Sequence, residues 1–176
     1  MPATNGISTS PIRLPVMRSD IAVPRACAGE YSATPDSVSL EAMPRPSPIA
    51  IDATYINGSD GNAILVEAGA TRVLVDAGFS AKDLTRRLQQ LAVRPESIRA
   101  IIVTHDHGDH TRGAGVFARL HQTAVYMTQR TRDACGPLLR GSETTVCYEP
   151  GRPFMVGGLR VEPFLTAHDA AEPVGV

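Results

Sequence analysis

The chain has 176 residues, a formal net charge of −1, 43% hydrophobic and 20% charged residues. That balance excludes a collagenous or wholly disordered chain and a strongly basic nucleic-acid arm. Eight of the 14 prolines, at 2, 11, 15, 24, 35, 44, 46 and 48, fall in the first 48 positions. Ser, Thr, Ala and Gly surround them without a sustained apolar period, so residues 1–47 read as a disordered tail or a misassigned start, and 48–176 as one small domain.

Tryptophan is absent and aromatic residues make up 5%, a thin supply for a base-stacking platform. No apolar run approaches the roughly 18 residues of a membrane-spanning helix, so a soluble protein is expected. Cys27, Cys135 and Cys147 are odd in number and widely spaced. They indicate neither a disulfide framework nor a thiolate metal site, and with no secretory signal the expected compartment is the reducing cytoplasm. The basic residues are all Arg except Lys82, a skew that fits a solvated charged surface better than phosphate binding.

The β-forming pieces Ile49–Ile51 and Thr54–Ile56 precede the turn-forming cluster 57–62, which reads as strand, turn, strand. Residues 63–67 and 72–76 are β-rich runs joined by Ala68-Gly-Ala-Thr71, a hairpin signature. Ser80 with Asp83 three residues on forms a variant capping box, and Leu84, Leu88 and Leu91 recur at helical spacing to about Ala92, where Pro95 prevents continuation. The near-continuous apolar run Ile98–Val103 predicts a strand buried on both faces. A helix over 113–121, a strand over 124–127, a helix over 128–135 and a strand over 145–148 continue the α/β alternation. A hairpin over 153–164, turning at Gly157-Gly158, follows.

Directly after the buried strand comes Thr104-His105-Asp106-His107-Gly108-Asp109-His110, which places three of the chain's five histidines within six residues. Residues two apart on an extended segment point the same way, so His105 and His107 can grip one ion. Gly108 is expected to let the backbone turn, so that Asp109 and His110 present an oxygen and a nitrogen to a neighbouring ion. Imidazole and carboxylate donors suit zinc, with manganese and iron(II) as alternatives. His121 matches no motif position and reads as a solvated helix-end residue.

The seven-residue motif resembles the metal-binding loop of metallo-β-lactamase-fold hydrolases, in the version ending Asp-His that is typical of dinuclear members. Residues 57–63 (Asn-Gly-Ser-Asp-Gly-Asn-Ala), 74–80, 111–119 and 166–175 extend the likeness to the YycJ/WalJ-like branch, nearly continuously from Tyr55. The resemblance implies an α/β fold, the αββα four-layer sandwich. It also implies that His168 joins His105 and His107 at one divalent ion, that Asp109 and His110 serve a second, and that Asp76 orients the histidine loop from behind.

In the family a bridging aspartate and a last histidine lie in a C-terminal half that this sequence does not contain. The chain is therefore expected to be the N-terminal part of the fold, with much of one sheet's inner apolar face uncovered, and Met43 as a plausible start. The activity implied is metal-dependent hydrolysis of phosphodiesters, a DNA exonuclease with nucleic acid as substrate and Asp109 orienting the attacking water. Arg112, beside the loop, is a candidate phosphate contact. Two other readings stand beside it: a thioester or lactone hydrolase, which the near-zero net charge suits better, and an inactive fragment holding one ion on His105, His107 and His168. No membrane and no obligate protein partner are indicated.

Overall fold

The computed structural model describes residues 12–13, 50–56, 58 and 60–176. The expectations placed on residues 1–47 lie outside the described residues, except that the backbone of Ile12–Arg13 forms strand β1 and pairs antiparallel with β2 (Ile51–Tyr55).

Strands β2, β3 (Ile64–Ala68) and β4 (Thr71–Val75) form an antiparallel meander. Leu65 faces Leu74 across one pair and Val66 faces Val73 across the next, so alternate residues feed opposite faces of the sheet. Three parallel strands follow, β5 (Ala100–Ile102), β6 (Ala124–Met127) and β7 (Thr145–Cys147), completing a seven-stranded mixed sheet in chain order. Parallel neighbours require long crossovers. Here these are supplied by α1 (Ala81–Gln90), by α2 (Gly108–Thr111) with α3 (Ala114–His121), and by α4 (Gln129–Ala134).

Helix α1 starts where the capping pattern places it, with the Ser80 hydroxyl accepting from the Asp83 amide at 3.2 Å. Burial pushes the Asp83 carboxyl up, but hydrogen bonds from Arg87 and Arg86 outweigh it and hold the group below the usual carboxylate range. The helix ends at Gln90, and Ala92 adopts a positive φ of 58° that turns the chain toward β5. Leu84 and Leu88, fully buried, meet Phe117 and Ala118 of α3 over Leu65, Leu74, Ile101 and Val125 of the sheet. His121 is not a solvated end: its Nε2 lies 3.2 Å from the Thr85 hydroxyl, its Nδ1 3.3 Å from Glu96, and its ring packs on Phe117. It ties α3 to α1.

The other face of the sheet is not bare at its centre, contrary to expectation. The hairpin of β8 (Phe154–Val156) and β9 (Leu159–Val161) folds over Val73, Ala100 and Ile102, all within 1% of full burial. Two anchors hold it: the Gly158 amide donates to Thr71 Oγ1 at 3.1 Å, and Phe154 stacks between Tyr126 and Tyr148. The more open part is at β2, where Ile51 and Tyr55 are 37% and 45% exposed. Helices, sheet and hairpin thus stack in order, and among the described residues no helix covers the hairpin.

Pro163 divides the expected long strand, and the chain resumes as β10 (Phe164–Leu165), which pairs with β11 (Val174–Gly175). This pair brackets the loop carrying His168. Cys135 is buried and Cys147 exposed, both as free thiols, and burial pushes the Cys135 thiol up to about 11, so it offers no thiolate to a metal. Among the described residues no helix is long and apolar enough to cross a membrane.

Candidate metal centre

Parallel strands end on the same edge of the sheet, and there the chain leaves β4 at Asp76 and β5 through Val103 into the histidine motif. Asp76 sits at φ 64°, a left-handed conformation that Asp tolerates better than most residues. Its buried carboxylate is thereby aimed across at the β5 exit. It accepts from the Thr104 amide at 2.8 Å, from the Thr104 hydroxyl at 2.8 Å, and from His110 Nδ1 at 2.7 Å.

These bonds assign protons. A carboxylate oxygen only accepts, so His110 carries its hydrogen on Nδ1 and its lone pair on Nε2. The Thr104 hydroxyl gives its one hydrogen to Asp76, and therefore accepts from His105 Nδ1 at 2.9 Å, leaving the His105 lone pair on Nε2. His107 Nε2 lies 3.0 Å from the Asp169 carbonyl, to which it must donate, so Nδ1 is its open atom. Asp76 thus reaches the histidine motif through two branches, one to His110 directly and one to His105 by way of Thr104.

The His168 loop is clamped onto the motif by main-chain bonds. The Ala171 amide donates to Asp106 Oδ1 at 2.9 Å and the Val174 amide to the Thr104 carbonyl at 3.0 Å. His105, His107 and His168 consequently converge, with ligand atoms within 4.8 Å of one another. The His105 ring centre lies 4.8 Å from His107 and 4.7 Å from His168. His105 Nε2 is buried and has no hydrogen-bond partner. A buried acceptor left unmade is costly in a folded protein, and three imidazoles that each bring a ligand atom to one point fit a divalent cation.

Asp109 and His110 lie beside this group, His110 with its ring centre 4.0 Å from His105 and its Nε2 3.6 Å from Asp109 Oδ2. Among the described residues this second set offers two side chains. Gly108 plays no special part in the turn: it opens α2 with an ordinary dihedral, and an added Cβ meets nothing within 4 Å. Arg112 donates to the Asp60 carbonyl at 3.4 Å. Two participants carried no role in the sequence reading: Thr104, whose hydroxyl relays between Asp76 and His105, and Asn62, whose amide lies 2.9 Å from Asp109 Oδ2 and 3.1 Å from His110 Nε2. In the sequence they are marked only by their place, Thr104 at the head of the histidine motif and Asn62 within residues 57–63.

Without a cation the two histidines titrate in opposite senses. Burial foremost, and then the His110 imidazole, hold His105 below the usual imidazole range, whereas the hydrogen bond to Asp76 lifts His110 above it. For His105 the unfolded chain binds the proton first, so stability is lost as pH falls below about 6.5. For His110 the folded chain binds it first, so its contribution is full below about 6.5 and is lost as pH rises through the raised folded value. A His110→Asn variant keeps a donor near Asp76 but removes the compensating gain. In chelator, its urea midpoint is expected to drop further than the parent's between about pH 7.5 and about pH 5.5. Parallel curves for the two proteins would refute the assignment.

Residues 56–166 match the Metallo-beta-lactamase superfamily. The chain is 34% identical over 123 residues to the exodeoxyribonuclease WalJ of Streptococcus pneumoniae, covering 66% of this chain and 45% of that protein. It is 35% identical over 120 residues to the exodeoxyribonuclease YycJ of Bacillus anthracis, covering 67% and 46%. It therefore spans less than half the length of these relatives. Among solved structures, the Rm3 metallo-beta-lactamase superposes with a TM-score of 0.62 at 19% identity over 69% of this chain and 51% of its own. A Cronobacter sakazakii metallo-beta-lactamase gives 0.59 at 18% identity over 69% and 54%. The mixed sheet with its crossover helices is the fold these structures share, and with the matched segment running from the end of β2 past β10, the chain belongs to the metallo-β-lactamase superfamily.

Proposed function

We propose that His105, His107 and His168 hold one divalent cation, zinc by the chemistry of the donors, that Asp109 and His110 serve a second, and that the centre hydrolyses phosphodiester bonds of DNA. The observation that carries the reading is His105 Nε2, buried and unpartnered at the meeting point of three imidazoles. The names of the two exodeoxyribonuclease relatives supply the substrate class. When bound, the cations supply Lewis-acid charge and a water acidic enough to act as nucleophile near neutral pH. The protein's part is to hold protons where they belong. Asp76 keeps them on His110 Nδ1 and, through the Thr104 hydroxyl, on His105 Nδ1, so both Nε2 atoms keep an unprotonated lone pair. Asp109, half exposed on the rim, orients the attacking water, and Arg112 contacts a substrate phosphate next to it.

One observation favours a second reading, a chain that binds a single cation without turnover: the second set has only Asp109 and His110 among the described residues. Incubating the 176-residue chain with zinc or manganese and end-labelled single-stranded DNA, with a thioester in parallel, separates the readings. Shortening of the DNA, abolished by a chelator and by His105→Ala, is expected. One retained equivalent without cleavage supports the second reading, and thioester turnover alone would refute the nuclease.

A further inference from the structure

We propose that Asn62 caps the second cation set: its side-chain amide engages one carboxylate oxygen of Asp109 and the Nε2 lone pair of His110, both donor atoms an ion would need, so the three-histidine set fills first. The proposal rests on the reading of these residues as cation ligands. The amide nitrogen lies 2.9 Å from Asp109 Oδ2 and 3.1 Å from His110 Nε2. Both atoms are acceptors, the carboxylate by nature and Nε2 because Nδ1 carries the hydrogen toward Asp76. With the His110 ring neutral, a flipped amide would turn its oxygen against two acceptors, which sets the amide nitrogen toward them. The two nearest contacts of the amide nitrogen are thus atoms the cation would need, while its contact with the Asp109 carbonyl is longer, at 3.5 Å. The contrast with the first set is direct, because there His105 Nε2 has no partner at all.

The amide is not what positions Asp109 and His110. Their carbonyls are held by the main-chain amides of Asn62 and Ala77, each at 2.7 Å, the Asn62 carbonyl accepts from Gly78 at 2.9 Å, and Asp76 fixes the His110 ring. Cutting back the side chain leaves that frame in place while releasing Asp109 Oδ2 and His110 Nε2. Because Asn62 is exposed, its amide can also swing out without disturbing the core when a cation arrives.

Calorimetric titration of the 176-residue chain with zinc, alongside Asn62→Ala and Asn62→Asp, tests this. The first equivalent is expected to bind all three proteins equally. The second is expected to tighten on the order of tenfold in Asn62→Ala, where two hydrogen bonds no longer compete, and further in Asn62→Asp, which adds a carboxylate. Should Asn62→Ala fail to fold, Asn62→Asp, nearly the same shape, decides. Unchanged, weaker or absent second binding in the variants overturns the cap, the weaker case meaning that the amide carbonyl itself helps hold the ion. Failure of every protein to bind a first equivalent instead overturns the metal reading beneath it, and the cap with it.

Discussion

Replacing Asp76 by alanine is expected to weaken binding of both cations on the order of 10–100-fold, the usual cost of removing a residue that orients metal-ligating histidines. The same change leaves the Thr104 amide, the Thr104 hydroxyl and His110 Nδ1–H without their shared acceptor in a nearly buried position. Loss of that acceptor is expected to destabilise the fold by about 2–4 kcal/mol, since each stranded donor retains its desolvation cost. Asp76→Asn keeps the shape but turns an N–H toward donors, so it falls nearer to alanine than to the parent. The branching makes a sharper forecast. Thr104→Val cuts only the limb to His105, so it is expected to weaken the first equivalent while sparing the second, whereas Asp76→Ala weakens both. Titration calorimetry with urea unfolding reads each quantity, and equal effects of Thr104→Val on the two equivalents would show that no relay separates them.

The parts of the site that were legible in the sequence are those in which chemistry and contiguity coincide. His105, His107, Asp109 and His110 stand within one short segment after a run of apolar residues, and a strand buried on both faces is what such a run makes. His168 lies far along the chain and has no local signature. It reaches the other imidazoles only because β10 and β11 bracket its loop and Asp106 and Thr104 clamp it, contacts that spacing does not encode. Asn62 was hidden for the same reason: its place depends on main-chain bonds to Asp109 and Gly78 that join three separate segments.

Two errors of the sequence reading have physical causes. Gly108 looked like a hinge because glycine permits unusual dihedrals, yet the loop turns by entering α2 with ordinary ones. His121 looked solvated because it ends a helix, yet α1 lies alongside and offers Thr85, while the segment after α1 offers Glu96. In the fold, the β and α alternation was readable from period and punctuation. The hairpin over the second sheet face was readable as a hairpin but not as a cover, since its docking depends on the Thr71 hydroxyl and on aromatic stacking between distant segments.

The glycine the site does need is Gly78, and Gly78→Ala is expected to be among the most damaging single changes in the chain. A Cβ there overlaps the Asp109 carbonyl and comes within 2.7 Å of the Asn62 amide nitrogen, so the obstacle is backbone, which has no rotamer with which to yield. Those two groups are hydrogen-bonded to each other at 2.7 Å, and Gly78 itself donates to the Asn62 carbonyl at 2.9 Å. Three segments, the turn before β3, the exit of β4 and the start of α2, therefore meet at a point that tolerates no side chain. Relief requires α2 to move outward, which carries Asp109 away from Asn62 and pulls His110 off Asp76. A loss of at least about 4 kcal/mol is expected, the range reserved for broken backbone packing, together with loss of the second cation. Gly108→Ala, only thirty residues along in the same site, is the control: the added methyl meets nothing within 4 Å and sits at the start of a helix. It is expected to leave stability unchanged or raise it by about 0.5–1 kcal/mol, because alanine costs less chain entropy to order than glycine. Urea unfolding of the two variants side by side separates a steric requirement from a general dislike of substitution, and equal stabilities would mean that the main-chain clasp opens freely and does not hold the metal loop.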